Sequence, residues 1–229
     1  METWGSGQLG DALHALSQGM LVPTMAVLLA LVVFAVYEVA SLIVEIAVER
    51  RHYAASVPQS IEAIHGCAAN EIEGIVQESG LVASQRKSLL ELVSYLHLPE
   101  EPLSDIAKRL MGDITLAYRK KVERSDIAAK VAPMLGLMGT LIPLGPGILA
   151  LGQGDTALLA SSLSIAFDTT VAGLVVGVVC YIIARLRNRW YADYLVSMEA
   201  LVNALLDKAA LLRAADDTAE VQGGADHVS

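Results

Sequence analysis

The stretch SIAFDTTVAG, residues 164–173, places Asp168 and two threonines, Thr169 and Thr170, inside a long apolar run. A carboxylate and hydroxyls in such a place can hold or pass a proton or a small cation. An ionised aspartate at the centre of a membrane helix costs about 2.5–3.5 kcal/mol. It must therefore face a protein interior or water, find a partner, or stay protonated. In one reading Asp168 belongs to an ion path; in the other it is a neutral packing contact. At helical spacing Ser161, Ser164 and Asp168 fall on one stripe, while Thr170, Gly173 and Gly177 fall on another, about 200° round the helix. Thr169 lies between them. The second stripe contains a GxxxG pair, which lets another backbone approach closely. Thr140 is the hydroxyl of a second apolar run, and either lines a path or bonds back to its own helix. Glu38 lies in a third run, on one helical face with Glu45 and Glu49. A contact between subunits suits it better than a proton site.

Three apolar runs are long enough to cross a bilayer, which takes about 20 residues. They are Leu21–Val44, Val131–Leu151 and Leu158–Ala184. In the second, Pro133 fits a start or bend, and Pro143 and Pro146 must disrupt the hydrogen-bond ladder. The basic residues fix an orientation. None precedes the first run and none lies between the second and third; eleven of the 16 fall between Arg50 and Lys130, and the rest follow Ala184. The positive-inside rule puts that side in the cytoplasm and the amino terminus outside. The sequence thus divides into an outer amphipathic segment (1–20), a first span (21–48), a cytoplasmic helical region (49–129), a second span (130–152), a short outer loop (153–157), a third span (158–184), a cytoplasmic helix (185–213) and a polar tail expected to be disordered (214–229). The expected fold is all-α, with three transmembrane helices extended by long cytoplasmic helices.

Composition agrees. The chain of 229 residues is 54% hydrophobic and 18% charged, where soluble domains hold about 45–50% and 25%. Mean hydropathy is +0.51. A net charge of −9 argues against nucleic acid as a partner. Cys67 and Cys180 lie far apart and read as packing residues, not as a disulfide or metal framework. No phosphate loop, metal-spaced histidine cluster or nucleophile elbow is present in the sequence, so neither an enzyme nor a cofactor is expected.

The segment APMLGLMGT, Ala132–Thr140, resembles the second-span signature A-P-x-x-G-L-x-G-T of the MotA/TolQ/ExbB proton-channel family. TVAGLVVG, Thr170–Gly177, is similar to its third-span segment. Three spans, an outer amino terminus and a large first cytoplasmic region resemble the TolQ/ExbB branch. The resemblance implies a homo-oligomeric ring, a pentamer, around two copies of an ExbD/TolR/MotB-like one-span partner whose membrane helix carries an aspartate. Ions, protons by implication with sodium the competitor, cross at the interface and drive a stator-like motor. On this pattern Thr140 and Thr170 line the path, with Asp168 and Thr169 as support or relay. Pro133, Gly136, Gly139, Pro143, Gly173 and Gly177 permit close helix approach. ExbB-like members carry a glutamate five residues before the third-span threonine; that position is Ile165 here, and the acid stands at Asp168. A non-conducting membrane scaffold and, less strongly, a small secondary transporter are the competing readings.

Overall fold

The computed structural model describes residues 4–47, 59–64, 66–67, 71–79 and 81–226. The regular elements among them are helical: α1 (Trp4–Gly19), α2 (Leu21–Glu45), α3 (Ile72–Glu78), α4 (Ala83–Ser94), α5 (Glu100–Gly152) and α6 (Thr156–Asp226). Glu49, expected on one face with Glu38 and Glu45, lies outside the described residues. Three stretches are long and apolar enough to cross a membrane: Ala15–Glu45, Glu100–Gly152 and Thr156–Ala214. Hydrocarbon offers no partner for a backbone N–H or C=O, so such stretches must bond internally as helices.

Sequence chemistry sets the ends. Pro102 sits in the first turn of α5, where a missing N–H is harmless, and Glu100 and Glu101 complement the positive end of the helix. Between α5 and α6 the chain reverses at Gly154, whose φ of +81° favours a residue without Cβ. Asp155 then caps α6, its Oδ1 accepting the Leu158 N–H at 3.0 Å.

Two expectations are altered. α5 continues as one helix through Pro133, Pro143 and Pro146. The prolines remove individual hydrogen bonds, at the carbonyls of Ala129, Gly139 and Ile142, without ending the element. The tail expected to be disordered is helical through Asp226. Extending an existing helix adds one hydrogen bond for each residue fixed and avoids the nucleation cost, so an alanine-rich polar segment can continue it.

The chain forms two compact units. One comprises Met1–Leu42 and Val122–Arg187. In it, α2 rests on α5 and α6 through a patch of small side chains: Ala35, Ala128, Ala132, Val176 and Cys180, with Leu31, Val32, Phe34 and Ala129 around them. The other unit comprises Ile43–Lys121 and Asn188–Ser229. Its core is built on Ile72, Leu89, Leu92, Met198 and Leu205, all fully buried. Tyr118 stacks on Tyr191 at 4.4 Å between ring centroids, and Tyr194 tilts against both. The buried Gln85 of α4 donates through Nε2 to the Tyr194 carbonyl at 3.1 Å.

Candidate functional site

The α5–α6 contact gives the site its frame. A Cβ added at Gly173 would lie 2.6 Å from the Ala132 carbonyl oxygen and 2.9 Å from the Gly136 Cα, so the two backbones touch at this level. One turn toward the loop, Gly139 accommodates the Thr169 side chain, which a Cβ there would meet at 2.7 Å. One turn the other way, the Pro133 ring rests on Gly177. Gly147 faces Ser162 near the hairpin end. Five of the six residues read as packing devices thus meet at this contact, and Pro143 is buried.

These contacts set the level of the polar groups. Thr169 is opposite Gly139, so its neighbour Asp168 stands level with Gly139 and Thr140. Asp168 is about 18 Å along α6 from Thr156 at 1.5 Å per residue. It is well inside the apolar stretch. Asp168, Ser161 and Ser164 are all exposed on the surface of the chain, and Phe167 and Val171 are exposed on either side of the carboxylate. Asp168 has no hydrogen-bond or ion-pair partner among the described residues. The Ser161 hydroxyl donates to the Leu158 carbonyl at 2.8 Å.

The threonines separate. Thr140 is partly exposed, and its hydroxyl donates to the Leu137 carbonyl at 2.6 Å. Thr170 is half-buried and donates to the Ala166 carbonyl at 3.0 Å. Thr169, grouped with the path by sequence, is buried in the α5–α6 contact, and its hydroxyl is shared between the carbonyls of Ile165 and Ala166. The structure therefore brings the exposed Asp168 and the partly exposed Thr140 to one level and places Thr169 in the packing.

Glu38 is also placed differently from the expectation of a contact between subunits. It is 5% exposed and faces the interior of its own chain. Arg187, 3% exposed, donates from Nη1 to Glu38 Oε2 and from Nη2 to Ser41 Oγ at 3.0 Å. Ser125 Oγ donates to the same Glu38 oxygen at 3.2 Å. Sequence reading missed Arg187, Ser125 and Ser41. A signal existed: Gly173, Gly177, Cys180, Ala184 and Arg187 lie at alternating spacings of four and three, so Arg187 continues the packed face of α6.

The model of the MotA/TolQ/ExbB proton channel family matches residues 86–200, just over half of the chain. The chain belongs to that family. No curated protein matches it. The matched region takes in the α5–α6 contact, Thr140, Asp168, Thr170, Ser125 and Arg187, and leaves out α1, α2 and Glu38. In this member of the family the exposed acid of the third span is Asp168, while Ile165 is an exposed apolar residue. Among the described residues there is no cluster of metal-ligating side chains.

Proposed function

We propose that the chain is the ring-forming, ion-conducting subunit of a stator-like motor of the TolQ/ExbB type. It works in the cytoplasmic membrane with its amino terminus outside. Several copies, a pentamer, surround two copies of a one-span partner bearing a membrane aspartate. Protons pass at the interface, and their passage does mechanical work through the partner. It is not an enzyme and needs no cofactor. The observation that carries this reading is Asp168, a carboxylate exposed deep in an apolar stretch and without a hydrogen-bond or ion-pair partner among the described residues. Facing lipid it would cost about 2.5–3.5 kcal/mol. A second chain or a water-filled path removes that cost. The serines on its stripe and Thr140 at its level supply the oxygen atoms that such a path needs.

The test is proton flux through the complex reconstituted in vesicles, wild type against Asp168→Asn, with the subunit count taken by native mass spectrometry. Asparagine keeps size and polarity and loses the titrating oxygen. Flux is expected to fall on the order of 10²-fold, as when a positioned proton-transfer group is removed. Sodium replaces protons if flux follows the sodium gradient instead. An unchanged ring with unchanged flux removes Asp168 from the path. A functional monomer sinks the ring.

A further inference from the structure

The cluster of Glu38, Arg187, Ser41 and Ser125 has no part in that path. We propose that it is a charge clamp: the Glu38–Arg187 pair seats the first span on the α5–α6 hairpin and so fixes which face of α6 carries Asp168 outward.

The need for a clamp follows from what α2 lacks. Along it Val22, Leu29, Val33, Val36 and Ile43 are exposed, and its buried residues are Thr24, Leu28, Ala35 and Glu38. In lipid an apolar face gains little by leaving hydrocarbon for protein, because lipid tails are as apolar as leucine. Helix association there relies on close packing of small residues and on polar contacts. The described part of α2 shows both, a turn apart. Ala35 meets Ala128, Ala132 and Cys180, and Glu38 meets Ser125 and Arg187. All three helices contribute to both.

The chemistry is specific. Arginine presents a planar fork, and here one arm holds the carboxylate and the other holds Ser41 of the same helix. Lysine cannot serve both positions in that geometry. Removing one charge leaves the other buried in a low-dielectric site without compensation, which is far more damaging than removing both. The pair therefore selects one seating of α2 against slipped or rotated ones, which would strand a charge in lipid. Its effect on ion passage rests on the channel reading above; the clamp itself does not.

The test uses the full chain in membranes, with Cys67 and Cys180 replaced by alanine. Val36→Cys and Val179→Cys supply a reporter, since these two residues line one apolar groove between α2 and α6. Cross-linking by a short bis-maleimide reads the seating of α2, and proton flux through the reconstituted complex reads the consequence. Glu38→Gln and Arg187→Gln are each expected to abolish the cross-link, Arg187→Lys to restore it in part, and the exchanged pair Glu38→Arg with Arg187→Glu to restore it largely. If the single variants fail to accumulate, the exchanged pair is expected to recover both accumulation and cross-link. Full cross-linking in either glutamine variant overturns the clamp. So does failure of the exchanged pair to recover what the single variants lose. A cross-link that follows the pair in a protein whose wild type conducts nothing leaves the clamp standing and defeats the channel reading.

Discussion

At the scale of single residues, the hydroxyls show how local bonding and function separate. Thr140, Thr169 and Thr170 all donate to carbonyls of their own helices. This is the usual way a threonine hides its donor in a helix. The donor is occupied, yet the oxygen lone pairs remain, and they are what a passing cation or hydronium would meet. Only an exposed oxygen can act so. Thr140→Val is therefore expected to lower flux while changing stability by about 1 kcal/mol or less, the net worth of one such hydrogen bond. Thr169→Val, buried against Gly139, is expected to leave flux unchanged at a similar cost. Flux in vesicles and thermal unfolding in detergent separate the two, and equal loss of flux from both would mean that Thr169 is accessible to the path. The stripe of Ser161, Ser164 and Asp168 was legible beforehand, because 100° per residue places three polar side chains together whatever surrounds them. The exclusion of Thr169 was not. It depends on where α5 lies, and that is decided by Gly139, thirty residues away in the chain.

Among the elements, the membrane unit is held by three helix faces that follow one rhythm. Thr24, Leu28, Leu31, Ala35 and Glu38 on α2, Ser125, Ala129, Ala132, Gly136 and Gly139 on α5, and Gly173, Gly177, Cys180, Ala184 and Arg187 on α6 all alternate steps of four and three. Such a rhythm keeps one face of each helix toward its neighbours. Glu38, Ser125 and Arg187 extend these faces and meet at one level. The glycines on α6 were readable as close-approach sites from their spacing, and those on α5 from the resemblance of APMLGLMGT to the family signature. Arg187 was obscured because a basic residue at the end of a span already has a sufficient explanation in membrane orientation. The spacing argument makes a paired prediction. Gly173→Ala would force a methyl group against backbone atoms that cannot move aside, and is expected to destabilise by about 1–3 kcal/mol. Gly145→Ala, in the same hairpin with nothing within 4 Å of the new Cβ, is expected to be neutral or to stabilise by up to about 1 kcal/mol through helix propensity. Thermal unfolding of the two variants side by side checks this. Equal effects would show that the close approach at Gly173 is absent in the membrane.

For the whole molecule, charge and hydropathy fixed more than motif chemistry did. Three apolar runs gave three membrane-competent helices, and the family match is carried by the second and third. The extension of the membrane helices by long polar ones was expected as well. The second run is part of one helix, Glu100–Gly152, and the third is part of another, Thr156–Asp226. A polar sequence that merely permits a helix extends one already nucleated by its apolar neighbour. Orientation rests on the 16 basic residues falling on one side of three spans. It is tested with the two native cysteines replaced by alanine and a single cysteine placed at Gln153, in the hairpin turn, or at Asp105, in the polar part of α5; both positions are exposed. A membrane-impermeant maleimide added to intact cells is expected to label position 153 at once and position 105 only after permeabilisation. The reverse pattern would invert the chain in the membrane. The level of the Glu38–Arg187 clamp would then lie toward the outer side, and ions descending the same gradient would pass that level before the level of Asp168, not after. The labelling result thus decides which end of the proposed path is the entrance.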